Sequence, residues 1–144
     1  SVFQRWALPI PQQPGRPQPA AAEYLAELRI SPKHFKALYN LARIYDAAGN
    51  AEKERETLER ALEADPKFPL TYFYLARLQL ARGERYPESI ELVRRGIALG
   101  PEPADLAMGY FLLSDLYGRV GDAARSREYA AKGRALAAAN RKRP

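Results

Sequence analysis

Apolar residues recur at three- and four-residue steps along most of this chain. The first clear set shares one helical face and consists of Phe35, Leu38, Leu41, Ala42 and Tyr45. A second set follows Gly49-Asn50 and consists of Leu58, Ala61 and Leu62. The pattern predicts two amphipathic helices joined by a two-residue turn, which together form an antiparallel hairpin.

Proline and glycine punctuate the chain at a regular interval. Three proline-containing pairs lie 34 and 35 residues apart, at Ser31-Pro32, Asp65-Pro66 and Gly100-Pro101. In the first two pairs we expect the Ser or Asp to cap a helix whose first turn holds the proline. Three glycines lie 34 and 38 residues apart, at Gly49, Gly83 and Gly121. Proline therefore opens each unit, and glycine divides it into two helices.

The apolar positions of the first unit return in the next two. Large residues are matched in two sets, Leu38/Tyr72/Tyr110 and Leu41/Leu75/Leu113. Small residues are matched in two further sets, Ala42/Ala76/Ser114 and Ala61/Gly96/Gly133. Small side chains at facing positions let neighbouring helices approach closely, while the large ones fill the space beside them.

This order of residues resembles the tetratricopeptide repeat, whose period is 34 residues. The unit 35–68 carries the pattern at Leu38, Leu41, Ala42, Tyr45, Gly49, Leu58, Ala61 and Pro66. The unit 69–104 departs from it by Gln79 and by one extra residue near Arg85-Tyr86. The unit 103–138 has three extra residues in its first helix, and Ala138 replaces the closing proline. The resemblance implies an all-α, right-handed α-solenoid of antiparallel helix pairs, with about three repeats plus one leading helix.

The chain divides into three parts at the level of sequence. Residues 1–19 form a Pro-rich lead, residues 20–140 the helical repeat domain, and residues 141–144 a basic tail. The prolines exclude a continuous helix before residue 20, so the helix over 20–30 has no partner upstream. Two interpretations of the lead stay open: an interdomain linker, or a segment whose Phe3 and Trp6 cover the apolar face left open. The unpaired helix suggests that the domain follows another part of a parent protein.

The composition excludes some kinds of functional site and favours a segment that does not cross a membrane. The chain has 144 residues, a net charge of +6 and no cysteine, which excludes disulfides and thiolate sites. No apolar run approaches the ~20 residues that cross a membrane, so we expect a soluble segment, cytoplasmic or periplasmic. The Ala/Arg-rich composition suits a GC-rich bacterial gene.

The sequence predicts no enzyme, cofactor or metal site. The single histidine, His34, is expected to be exposed in the first turn of a helix. Four glutamates between residues 52 and 59 are interleaved with Lys53, Arg55 and Arg60; they are Glu52, Glu54, Glu56 and Glu59. We expect them to form i to i+4 ion pairs on a solvated face, without burial that would separate their pKa values.

The resemblance implies that the first helix of each pair lines a concave groove. Helical phase then predicts a peptide-binding surface at Lys36, Tyr39, Asn40, Arg43, Phe73, Tyr74, Arg77 and Phe111. Aromatic residues beside arginines are the types in which binding energy concentrates, and they suit a partner segment with acidic or aromatic side chains. In the competing interpretation, the aromatics pack against neighbouring helices and the arginines merely cover them.

Three functions follow from these observations. The leading one is a protein–protein interaction module that holds an extended segment of a partner. The second is a structural C-terminal appendage of a larger bacterial enzyme or membrane protein, with the groove occupied by the chain's own lead. The most remote is nucleic-acid binding through the basic surface. It is remote because the arginines fall mainly on second helices and do not follow one groove. We expect a monomer or a weak homodimer.

Overall fold

The computed structural model describes residues 19–142, and this span contains seven α-helices and no strand. They are α1 (Pro19–Ile30), α2 (Phe35–Ala48), α3 (Ala51–Ala64), α4 (Pro69–Arg82), α5 (Tyr86–Ala98), α6 (Pro103–Arg119) and α7 (Ala123–Arg141). The leading helix and the three pairs that follow confirm the predicted all-α solenoid. Residues 1–18, with Phe3 and Trp6, and the tail residues 143–144 lie outside the described residues.

The helices stack in chain order. Contacts are most extensive within the pairs α2/α3, α4/α5 and α6/α7, and α1, α3 and α5 each pack on the helix that follows. The helix α4 also packs directly on α6, whereas α2 and α4 approach each other less closely. This difference leaves a cleft between α2 and α4.

The core is formed by the residues that the periodic pattern singled out. The buried members are Leu38, Leu41, Ala42, Leu58, Ala61, Tyr72, Leu75, Ala76 and Leu113. They fall into three contiguous clusters, one around α1 and α2, one bridging α2, α3 and α4, and one between α4 and α7. Four further residues of the pattern are only half-buried, namely Phe35, Tyr45, Leu62 and Tyr110.

Helix lengths reproduce the irregularity of the third unit. The helix α6 has 17 residues, against 14 in α2 and in α4, as the three extra residues predict. The helix α7 continues to Arg141, one residue into the predicted tail. None of the described helices is both long enough and apolar enough to cross a bilayer.

The start of α2 differs from the prediction. Ser31 does not cap it, because the helix begins at Phe35, three residues after Pro32. The cap is His34, whose Nδ1 accepts a hydrogen bond from the Ala37 N–H at 3.2 Å. A histidine ring nitrogen thus satisfies one of the free N–H groups of the first turn.

The start of α4 differs in the same way. Asp65 closes α3, and its Oδ1 accepts a hydrogen bond from the Lys67 N–H at 3.0 Å. This Asx turn places Pro66 in the connection rather than in the helix. The first helical position belongs instead to Pro69, as it does to Pro103 in α6. The repeated Xaa-Pro pair therefore marks a turn that precedes the helix by three residues, or by two in the third unit.

The turns inside the helix pairs follow the predicted glycines. Gly49 and Gly83 end α2 and α4 in the left-handed conformation, with φ of 74° and 72°. The extra residue of the second unit is Arg85, which caps α5 with a φ of 55°. A side chain with a Cβ is strained in this region of backbone space.

Replacing Arg85 by glycine is expected to stabilise the chain. Glycine adopts the left-handed conformation without a Cβ clash, so Arg85→Gly should raise the free energy of unfolding by about 0.5–1 kcal/mol. Urea denaturation followed by circular dichroism measures the change. The matched control is Gly83→Ala, which puts a Cβ into the same conformation and should lower the free energy of unfolding by about 1 kcal/mol. A lower stability for Arg85→Gly would contradict the assignment of strain.

Candidate functional site

An aromatic cluster lies between α2 and the start of α4. The Tyr39 ring is stacked on Phe35 at 5.7 Å between centroids, and both rings meet Phe68 edge-on at 5.1 Å. Tyr39 also stacks on Tyr74 at 5.8 Å. Offset-stacked and edge-to-face pairs at these distances are favourable arrangements of aromatic rings. The sequence pattern missed Phe68, since it lies in the connection that precedes α4.

The cleft continues from this cluster toward the C-terminal ends of α2 and α4. Its volume is about 590 Å³. Four of the eight predicted contact residues line it, namely Asn40, Arg43, Tyr74 and Arg77. The other walls include Ala20 and Tyr24 from α1, Asp46 from α2, and Glu54 and Leu58 from α3. We call the aromatic cluster and the cleft together the α2–α4 groove.

The two predicted arginines of the groove differ in their surroundings. The guanidinium of Arg77 forms an ion pair with the Asp46 carboxylate at 3.3 Å and lies 4.9 Å from the centre of the Tyr74 ring. Arg43 is exposed and forms no ion pair with any of the residues 19–142. Arg43 is therefore a cation that the described part of the chain leaves without an acidic partner.

Tyr39 belongs to the aromatic cluster of the groove, whereas Lys36 lies outside the groove. Tyr39 is half-buried, and its burial, together with the neighbouring Tyr74 hydroxyl, raises the pKa of its phenol above the ordinary value. It therefore stays a neutral hydrogen-bonding group at physiological pH. Lys36 is exposed one turn earlier and does not line the cleft.

The placement of Phe73 in the groove is wrong. This residue is fully buried, and its ring lies against the backbone of Gly96 in α5 and of Gly109 in α6. A Cβ added at Gly96 would come within 2.6 Å of the ring, and one at Gly109 within 2.9 Å. Phe73 is thus a core residue that joins three helices and cannot contact a partner.

Tyr39, the equivalent residue of the first unit, cannot be buried in the same way. Ala61 and Thr71 stand at the positions that correspond to Gly96 and Gly109, and both are fully buried. Their side chains fill the space that the two glycines leave open for Phe73. Tyr39 is partly exposed, and α2 and α4 approach each other less closely than α4 and α6 do.

Phe111 takes an intermediate position. Its ring lies against Gly133 in α7, where an added Cβ would come within 2.8 Å. No helix follows α7 in the described residues to cover the other side, and Phe111 is 39% exposed. It does not line the cleft.

Glu54 is a residue of the cleft that the sequence pattern placed wrongly. It was expected on a solvated face, yet it is only 5% exposed and lines the cleft. Burial, and secondarily the charge of Asp46, raise the pKa of its carboxyl to about 7, although Arg77 opposes the shift. The signal in the sequence is its spacing, because Glu54 lies one helical turn before the buried residues Thr57 and Leu58.

The other acids of α3 follow the prediction only in part. Glu52 is on the surface and pairs with Arg55 three residues later, at 2.9 Å, rather than at i to i+4 spacing. Glu56 and Glu59 are exposed. Among residues 19–142, no three acidic or histidine side chains are grouped so that they could hold a metal ion.

Two family models match the chain, and both describe the tetratricopeptide repeat. One covers residues 19–70 and the other residues 57–91, so that together they span just over half of the sequence. No curated protein sequence matches the chain. The third unit, beyond residue 91, is assigned to the same fold by its helices and by solved structures.

Solved structures with the same fold include three different proteins. MamA has a TM-score of 0.72 at 21% identity over 81% of this chain and 66% of its own. BtubC (BKLC) from P. vanneervenii has a TM-score of 0.71 at 20% identity over 86% of this chain and 57% of its own. The globular C-terminal domain of P. aeruginosa LpoP has a TM-score of 0.62 at 25% identity, over 69% of this chain and 94% of that domain. The chain thus spans less than two thirds of MamA and BtubC.

Proposed function

The chain belongs to the tetratricopeptide repeat family, and on that premise we propose that it binds an extended segment of a partner protein in the α2–α4 groove. Repeats of this kind form protein–protein interaction modules. The fold alone does not say where a partner binds; the residues that line the groove favour this site.

One observation carries the proposal: an aromatic surface leads directly into a cleft that holds an arginine without an acidic partner. The half-buried rings of Phe35, Tyr39 and Tyr74 offer apolar area to a partner segment. Arg43 lies one turn beyond Tyr39 on the same helix, and its charge is available to a ligand. Tyrosine and arginine are the residue types that contribute most to protein interfaces.

The chemistry of these residues favours an extended segment with an aromatic and an acidic side chain. An aromatic side chain of the partner can stack beside Tyr39, and a carboxylate can accept hydrogen bonds from the Arg43 guanidinium. Asn40, between them on α2, offers both a donor and an acceptor to the partner's backbone.

The proposal is for a binding module without catalysis. The tetratricopeptide fold is typical of non-catalytic scaffolds. The described residues that line the cleft include an acid with a raised pKa, Glu54, but no Ser, Thr, Cys or His that it could activate.

Affinity capture from a cell lysate tests the groove. The bait is the 144-residue chain, compared with the double variant Arg43→Ala/Arg77→Ala at moderate salt. We expect the variant to retain the partner at least about tenfold less well, because both cations of the groove are removed. Phe73 is kept intact in this design, since it is fully buried and its replacement would destabilise the core.

The matched control is Arg127→Ala/Arg134→Ala, which removes two exposed cations from α7. Circular dichroism must show that both variants are as helical as the parent chain. Equal retention of the partner by all three proteins would mean that binding occurs outside the groove.

A second candidate function is a structural appendage of a larger protein whose groove is occupied by its own lead. One observation favours it: the first residues of α1 line the cleft, so the chain enters the domain at this site.

A further inference from the structure

The equivalent phenylalanines of α4 and α6 are covered to different extents. The Phe73 ring lies between Gly96 of its own helix pair and Gly109 of the next helix, α6, and is fully buried. The Phe111 ring lies in the same way against Gly133 of α7. Within the described residues no helix follows α7, so the other side of this ring is open and Phe111 is 39% exposed. The repeat itself thus shows what covers such a ring, namely a helix that places a glycine on it.

The residue that follows Gly96 or its counterpart faces the next helix of the stack. In the first two units it is Leu62 or Ile97, and both are half-buried against the core cluster that spans α4 to α7. The Cγ1 atom of Ile97 lies 3.1 Å from the point where a Cβ at Gly109 would stand. In the third unit the same position holds Arg134, which is exposed. The surface that meets a following helix is therefore apolar in the first two units and cationic in the third.

Two further arginines share the face of Arg134. Arg127 and Arg141 stand seven residues before and after it, so three cations follow one line along α7, about 10.5 Å apart. All three are exposed, and within residues 19–142 none of them forms an ion pair, whereas the other two basic residues of α7 are each paired with an acid. One acid of α6, Asp115, is exposed one turn after Phe111, so the surface keeps an excess of positive charge. We call Phe111, Gly133, Arg127, Arg134 and Arg141 the end face.

Exposure to water alone accounts for the arginines but not for the ring. Terminal repeats commonly carry a polar outer face. On such a face a phenylalanine adds exposed apolar surface, and a glycine inside a helix costs stability relative to alanine. The pair formed by Phe111 and Gly133 therefore indicates a face that another helix covers.

We propose that the end face binds a helix of a partner protein, and that this helix presents a glycine to the Phe111 ring and carboxylates to the arginines of α7. The glycine lets the partner's backbone approach the ring as closely as α6 approaches Phe73. Glutamates at seven-residue steps match the spacing of the arginines, and each guanidinium can donate two hydrogen bonds to a carboxylate. Aromatic and arginine side chains are the types in which binding energy concentrates.

The end face and the α2–α4 groove are separate sites. No residue of the end face lines the cleft, and the end face takes a helix rather than an extended segment. The inference does not rest on the proposed function, and either can fail alone. In the lysate experiment the control Arg127→Ala/Arg134→Ala should still retain the partner of the groove, while it should lose proteins that bind through the end face.

A synthetic helical peptide of about 20 residues tests the proposal on the intact 144-residue chain. The peptide carries a glycine at the centre of its apolar face, with one glutamate three residues before it and another four residues after it. We expect it to shift the amide signal of Gly133 and the ring signals of Phe111 in NMR spectra, with a dissociation constant below about 1 mM. A leucine in place of the peptide's glycine should weaken binding at least about tenfold, because its side chain meets the ring.

Two double variants of the chain separate the end face from general charge attraction. Arg127→Gln/Arg134→Gln should weaken binding of the peptide at least about tenfold. The control Arg125→Gln/Lys132→Gln removes two positive charges from a different side of the same helix, where they lie over tyrosine rings, and should weaken binding less than about threefold. Circular dichroism must show that both variants are as helical as the parent chain.

Four outcomes would overturn the proposal. The first is no binding of the glycine peptide at about 1 mM. The second is equal affinity for the glycine and leucine peptides, since the ligand would then not pack on Phe111. The third is an equal loss in the two double variants, since net charge alone would then attract the peptide. The fourth comes from sedimentation of the chain alone: self-association that Arg127→Gln/Arg134→Gln abolishes would make a second copy of the chain the occupant.

Discussion

Replacing Phe73 by alanine is expected to lower the free energy of unfolding by about 3–5 kcal/mol, the range for a fully buried phenylalanine. The ring lies between Gly96 and Gly109, so its loss leaves a cavity where α4, α5 and α6 meet. Neither glycine has a side chain that can move into the space. Urea denaturation of the variant and the parent chain measures the difference.

The repeat supplies its own comparison for this prediction. Phe111 occupies the equivalent position of the third unit but is 39% exposed. Phe111→Ala should therefore cost about 1–2 kcal/mol, since the ring buries less apolar area. Equal losses for the two variants, or a Phe73→Ala protein that keeps its stability and loses only partner binding, would show that the burial of Phe73 is wrong.

The sequence predicted the fold well, because the packing of the helices requires buried residues at regular intervals along the chain. Leu38, Leu41 and Ala42 and their counterparts in the next two units are all in the core. The number of helices, the glycine turns and the longer α6 follow from the same spacing. The helix starts were less predictable, because a histidine ring at His34 takes the capping role that the sequence suggested for Ser31.

The groove was only partly predictable, since repeat equivalence does not fix exposure. Tyr39 and Phe73 occupy equivalent positions, yet one lies in the groove and the other in the core. The difference arises from small residues on neighbouring helices, Gly96 and Gly109 against Ala61 and Thr71. The helical phase of α4 alone does not show whether neighbouring helices leave room for the Phe73 ring.

Glu54 illustrates a second limit of the sequence. Its neighbours Lys53 and Arg55 are charged, so composition places the segment on the surface. Yet each helix has two sides, and Glu54 shares the buried side with Leu58. The buried acid, the separation of α2 and α4, and the entry of α1 at the cleft meet at one place only in three dimensions.

Adding a side-chain atom at Gly96, against which the Phe73 ring packs, is also expected to destabilise the chain. The Cβ of Gly96→Ala would lie 2.6 Å from Cε1 of the Phe73 ring, closer than such contacts permit. Overpacking of this kind outweighs the gain in helix propensity, so we expect a net loss of about 2 kcal/mol in the free energy of unfolding. The matched control is Gly118→Ala in α6, whose Cβ meets only Ser126 Oγ, at 3.4 Å, and which should leave stability unchanged or slightly higher.

A double variant separates the clash from other effects of the substitution. Phe73→Leu removes the ring edge that Gly96→Ala would strike, so the double variant should lose at least about 1 kcal/mol less than the sum of the single losses. Additive losses would mean that the two residues do not meet. The aromatic ring would then not be what holds α5 against α4, and the contrast between the core position of Phe73 and the groove position of Tyr39 would need another cause.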